Sequence, residues 1–138
     1  MKKKLIEIWI NKKGYELVEG LTDQHIPDLM RITYSKRLKP ENQIYSILHE
    51  CGHLIIQNSA CYDQRYKIQT EALEDGRKKR SLRWRINFLK EEFEAWDKGK
   101  QLAEKLGIEI DLDEYDRYAA RWLKTYCQFV VDKDYGGW

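Results

Sequence analysis

The stretch Ile47-Leu48-His49-Glu50-Cys51-Gly52-His53-Leu54-Ile55-Ile56 contains an H-E-x-x-H and holds two of the chain's three histidines. An α-helix advances about 100° per residue, so His53 comes round to within about 40° of His49. Ile44, Ile47, Leu48, Cys51, Leu54 and Ile55 gather on the opposite side. The spacing therefore predicts an amphipathic helix over 41–57, opened by Pro40 and broken at Asn58-Ser59, with its histidines displaced from the apolar face. Two imidazoles one turn apart can grip one tetrahedral zinc ion (Zn2+), and Glu50 on the flank of that face can reach a metal-bound water as general base. The competing reading is a surface helix carrying two solvated histidines.

Catalytic zinc keeps three protein ligands and one open position. The long motif H-E-x-x-H-x-x-G-x-x-H is excluded, because Ile56 stands at its glycine and Ser59 at its third histidine. His25, before Pro27, is one remaining donor. A glutamate from a later helix is the better one, and KEEFEAWDKG offers Glu91, Glu92 and Glu94. Around Glu92 lie Phe88, Leu89, Ala95, Trp96, Gly99, Ala103 and Leu106, within about 60° on the helical wheel. Glu94 points the opposite way and Glu91 is intermediate. A carboxylate centred on an apolar stripe is costly to bury without a cation. Zinc would supply one; an inward Arg83 or Arg117 is the alternative.

Working outward, KLIEIWI (4–10) alternates and is rich in β-branched and aromatic residues, which predicts a strand. NKKG reads as a turn, YELVEG as a partner strand, and DLMRITYSKRL as another extended piece. The stretch 59–80 has no clear period, and SLRWRINF (81–88) alternates like a strand yet leads into a helix. From about Asn87 the pattern is helical, with Gly107 as a stop. A last helix follows over 111–131, capped by Asp111 or Asp113. DKDYGGW (132–138) reads as a loose tail. Strands first and helices later predict an α+β fold, a small zincin-like domain. Its short antiparallel or mixed sheet near the N-terminus packs on the H-E-x-x-H helix, and two further helices follow.

The 138 residues suggest one domain over 1–138, large enough to bury a core without staples. Net charge is +2, from 25 basic and 23 acidic residues, which argues against a disordered or strongly polyanion-binding chain. No stretch is long enough to cross a membrane, and the basic start MKKK precedes too short an apolar run for a signal peptide. Three scattered cysteines form no disulfide framework, which points to a reducing cytoplasm.

ILHECGHLII followed by Glu92-x-x-Ala95 resembles the Glu-zincins. Within them the chain is similar to the ImmA/IrrE-type metallopeptidases, and most of all to small metallopeptidase-like proteins of phages and prophages. The residues carrying that likeness are EEFEAW, then YDRYAARWLKTYC, and it covers most of the chain from about Met30. The resemblance implies His49 and His53 as ligands, Glu50 as catalytic base, Glu92 as third ligand, and hydrolysis of a peptide bond in a protein substrate. The chain departs from the compact members in a longer segment between His53 and Glu92, which suggests an inserted loop.

An oxyanion donor should accompany the zinc. Tyr115 and Tyr118 on the last helix are candidates, with Tyr62 and Tyr66, although the stripe Tyr115, Tyr118, Ala119, Trp122, Tyr126 and Phe129 reads mainly as core packing. A second functional class rests on GRKKRSLRWR. Basic residues from Arg77 to Arg85, interleaved with Trp84, could contact nucleic acid or an acidic partner in a metal-stabilised binding module. A solvated charged loop is the plainer reading of that run.

Overall fold

In a computed structural model, residues 1–69 and 81–135 are described. The chain is α+β. Helix α1 (Lys2–Lys12) leads into strands β1 (Glu16–Gly20), β2 (Gln24–Ile26) and β3 (Arg31–Ser35), with a 3-10 turn at Pro27–Leu29. Helices α2 (Pro40–Gln57), the short α3 (Tyr62–Arg65), α4 (Leu82–Lys105) and α5 (Leu112–Val131) follow.

The opening KLIEIWI is helix, not strand. Ile6 and Ile10, one turn apart, are fully buried, whereas Leu5 and Ile8 are exposed. Strand alternation would have put Ile6, Ile8 and Ile10 on one buried face; only the helical pair meets the core. The amide of Gly14 bonds Asn11 O as the chain turns towards β1, and Gly14 takes a φ of 82°, a conformation that costs glycine little.

β3 is the centre of a three-stranded mixed sheet of order β1-β3-β2. It pairs parallel with β1 (Leu17 opposite Ile32) and antiparallel with β2 (His25 opposite Ile32). Residues directly opposite in a sheet share a face. Ile32 is fully buried with Leu17 packed beside it, so His25 lies on the core side of the edge strand.

α2 matches its expected span and is closed in on nearly every side; Gln43 to Leu54 are all buried. The sheet and α1 cover its apolar side through Ile6, Ile10, Ile32 and Tyr34. α4 crosses the other side at contact distance. A Cβ built on Gly52 would lie 2.7 Å from the carbonyl carbon of Ala95, and one on Gly99 would lie 2.8 Å from that of Leu48. Two glycines thus let the backbones of α2 and α4 touch.

α4 begins at Leu82, five residues before the expected start, because the Ser81 hydroxyl caps it by accepting from Trp84 N. Its Trp84 packs with Ile68 and Phe129 in a satellite cluster. α5 is capped by Asp111, whose side chain accepts from Glu114 N, and seals the core with Tyr115, Tyr118, Ala119 and Phe129. Of the expected tail, 132–135 form a turn in which Tyr135 N bonds Asp132 O; 136–138 lie outside the described residues. No helix among the described residues is long and apolar enough to cross a membrane.

Candidate metal centre

His49, Glu50 and His53 form a buried group whose ligand atoms lie within 4.8 Å of one another and could hold a metal ion. They belong to a polar stripe on α2. Measured from Glu50 at about 100° per residue, Lys39, Asn42, Ser46, His49, His53 and Gln57 all fall within about 100° on one side. That stripe does not face water. α4 roofs it, and His49 and His53 are only 6% and 9% exposed.

The roof delivers two carboxylates. Glu92 Oε2 lies 2.8 Å from His49 Nε2, and its Oε1 lies 3.2 Å from His53 Nε2. One carboxylate therefore spans the two ring nitrogens that face each other. Glu50 approaches His49 from the other edge, 3.3 Å from Nδ1. Glu50 thus meets His49 at Nδ1 while Glu92 meets it at Nε2, and a ligand atom of Glu50 lies within 4.8 Å of those of both imidazoles. Glu92 thus joins the Nε2 atoms of both rings, and the structure brings together two imidazoles and one carboxylate, a donor set that can hold a divalent metal ion. Neither Arg83 nor Arg117, the alternative partners for Glu92, is paired with it.

Glu91, intermediate on the helical wheel, is as buried as Glu92, each being 7% exposed. Its Oε2 lies 2.6 Å from His53 Nδ1. It also accepts from Gln57 Nε2 (3.1 Å) and from the Tyr62 hydroxyl (2.8 Å). A carboxylate behind the outer ring nitrogen fixes which nitrogen is free to bind a metal and raises its basicity. The indole of Trp96 stacks on His49 with ring centroids 4.1 Å apart, which sets the plane of the second ring.

Electrostatics follow from this crowding. Burial alone would lower the pKa of His53, yet Glu92 and Glu91 hold it well above the ordinary histidine range. Burial would raise Glu92, but the imidazoles of His53 and His49 hold it well below the usual carboxylate range. Glu91 is likewise held down against its burial, by His53, Gln57 and Tyr62. Three buried carboxylates around two imidazoles make a pocket that favours positive charge, as a divalent cation would provide.

Other predicted residues are placed elsewhere. The Tyr115 hydroxyl donates to Trp96 O at 2.6 Å, and that of Tyr118 is 2.9 Å from Ser46 Oγ. The Tyr66 hydroxyl and Arg65 both bond Glu94, on the outer side of α4. His25 is not among the converging donors; it stacks on Tyr15, with Nε2 3.4 Å from the hydroxyl. Its pKa is nevertheless pushed down to about 4, by burial and then by His53, and β2 packs against α2. Asp23 is raised by burial and then by the charge of Glu50, while it accepts from Ser35 N at 2.7 Å. Tyr126 of α5 is raised by burial, then by Glu92 and Glu50. Sequence reading had placed Tyr126 on the aromatic stripe without assigning it to the site.

In the basic run, Arg77 to Arg80 lie outside the described residues. Trp84 is buried against Phe88 and Phe129, and Arg85 donates to Val130 O at 3.2 Å. No family model matches the chain, and no curated protein or solved structure matches it.

Proposed function

We propose that the chain is a zinc-dependent metallopeptidase of the Glu-zincin type, akin to the ImmA/IrrE-like enzymes it resembles, which hydrolyses a peptide bond in a protein substrate. The observation that carries this reading is Glu92 spanning the Nε2 atoms of His49 and His53, with Glu50 on the adjoining flank. His49, His53 and Glu92 would hold the ion. When bound, it supplies Lewis acidity, bringing a water towards neutral pKa and polarising a carbonyl. The chain's own residues do the rest. Glu50 takes the proton of the attacking water and passes it to the departing amine. Glu91 keeps the proton of His53 on Nδ1, leaving Nε2 as the donor atom. Trp96 holds His49 flat against α4. With the Tyr115 and Tyr118 hydroxyls engaged to Trp96 O and Ser46 Oγ, Tyr126 on α5 is the candidate donor to the developing oxyanion.

The alternative binding module gains nothing from Trp84 and Arg85, which are committed to the core. The deciding experiment combines metal analysis with cleavage of a proteome-derived peptide library. About one zinc per chain is expected, retained by Glu50→Gln and lost by Glu92→Ala, with cleavage by the wild type alone. A Glu50→Gln protein that cleaves like the wild type sinks the mechanism.

A further inference from the structure

The segment that joins α2 to α4 is held against α4 by paired side chains. Tyr62 opens α3 and Tyr66 follows its last residue, with ring centroids 5.3 Å apart. Glu91 and Glu94 stand about one turn apart on α4. The Tyr62 hydroxyl donates to Glu91 Oε1 at 2.8 Å, and the Tyr66 hydroxyl and Arg65 bond Glu94. Tyr66 is fully buried and packs with Ile56 of α2 and Ala95 of α4, with Tyr62 partly buried beside them. The two tyrosine–glutamate pairs are alike in chemistry but end differently. Glu94 faces the outer side of α4, whereas Glu91 is the carboxylate behind His53.

The two oxygens of Glu91 are held by different partners. Oε2 meets His53 Nδ1 at 2.6 Å and Gln57 Nε2 at 3.1 Å. Among the described residues, the donor to Oε1 is Tyr62. A carboxylate held at one oxygen alone can turn about its last side-chain bond, a broad and roughly two-fold torsion. A bond at each oxygen stops that rotation. Glu91 is buried, so water does not readily replace a missing donor. Tyr62 therefore decides how firmly Oε2 stays on Nδ1, and that bond sets the ring orientation and the basicity of His53 Nε2.

Resting on the reading of His53 as a metal ligand, we propose that Tyr62 is a positioning residue of the metal centre, acting through Glu91, and that the segment 61–66 is thereby coupled to the ion. Such coupling is reciprocal: the factor by which the docked tyrosine strengthens metal binding is the factor by which bound metal strengthens the docking. The long connection between His53 and Glu92 thus contributes to metal retention without supplying a ligand.

The test uses the full-length protein with Zn2+ as probe, its affinity read by chelator competition. Tyr62→Phe keeps the ring and removes the donor; it should bind zinc about fivefold more weakly, a smaller loss than removal of Glu91 itself. Tyr66→Phe removes the matching hydroxyl from Glu94 and should stay within about twofold of the wild type. In a Glu91→Ala background, Tyr62→Phe should cause no further loss, because the path through Glu91 is already cut. Hydrogen exchange reads the coupling from the other end. The amides of Arg65 and Tyr66, bonded to Cys61 O and Tyr62 O, should exchange several-fold more slowly with zinc in the wild type but not in Tyr62→Phe. Wild-type zinc affinity in Tyr62→Phe overturns the proposal. So does an equal loss in Tyr66→Phe, or a further loss on top of Glu91→Ala. Zinc-independent exchange of those amides in the wild type overturns the coupling. A wild type that holds no zinc removes the metal reading and this one together. Zinc binding that responds as described, in a protein that cleaves nothing, sinks the peptidase and leaves Tyr62 its role.

Discussion

Gly52→Ala tests the link between helix packing and the metal site. A Cβ at position 52 would fall 2.7 Å from Ala95 C and 2.9 Å from Ala95 Cα, and closer still to the carbonyl oxygen. Ordinary carbon contacts need roughly 3.5 Å or more, so the two backbones must part by about 1 Å. Ala95 is one turn from Glu92 on α4, and Gly52 adjoins His53 on α2. Such a shift would stretch the 3.2 Å approach of Glu92 to His53 Nε2 to about 4 Å, while a metal site tolerates only about 0.2 Å of error in its ligand distances. Overpacking costs about 1–3 kcal/mol, and the better helix propensity of alanine returns about 1 kcal/mol. The expected net loss is up to about 2 kcal/mol in urea denaturation of the metal-free protein, with zinc affinity at least tenfold weaker in chelator competition. Gly99→Ala is the control. Its Cβ would lie 2.8 Å from Leu48 C and from the Tyr115 hydroxyl, so stability should fall similarly. It sits seven residues from Glu92, about 10 Å along α4, and zinc affinity should fall less. Wild-type stability and zinc affinity in Gly52→Ala would refute the argument that close helix approach places Glu92.

Other outcomes follow from the site. Glu91→Ala leaves His53 Nδ1, Gln57 and Tyr62 without their shared acceptor, so zinc affinity should drop about 10–100-fold while the Glu50 position is untouched; unchanged affinity would mean that Glu91 does not orient the ring. Tyr126→Phe should keep its zinc and lose about 10²-fold in kcat if the phenol serves the oxyanion, and a loss under twofold would dismiss it. For His25, burial and His53 push the pKa down to about 4, below its unfolded value near 6.5. The unfolded chain therefore binds the extra proton between those values, and this residue's contribution is complete above pH 6.5 and lost as pH falls towards 4. Solvent at the edge strand screens part of this, so the swing should be about 1–2 kcal/mol. His25→Gln should remove it from the difference in denaturation free energy between pH 7 and pH 4.5, and an identical difference in both proteins would contradict the assignment.

Much of the site was legible before any fold was known, because its parts are local. His49, Glu50 and His53 sit within five residues of one helix, and helical geometry alone puts the two imidazoles side by side. Glu92 stood out because one carboxylate was centred on an apolar stripe. The opening Pro40, the cap Asp111 and the break at Asn58 were equally local. The opening helix reads as a strand because five apolar residues among seven, Leu5, Ile6, Ile8, Trp9 and Ile10, leave both periods open. Only packing showed that Ile6 and Ile10 reach the core and Ile8 does not. Leu82, Trp84, Ile86 and Phe88 posed the same ambiguity, resolved by the cap at Ser81.

The chain by itself determined the two imidazoles, the glutamate between them and the direction in which each points from its own helix, since those depend on turns of a few residues. Tertiary structure alone decided that the polar side of α2 is an interior seam and that Gly52 and Gly99 bring α4 close enough for Glu92 to span both rings. It also decided that Glu91 backs His53. Those relations join residues dozens of positions apart, and whether they meet depends on how closely two backbones can approach, which no period along one segment encodes.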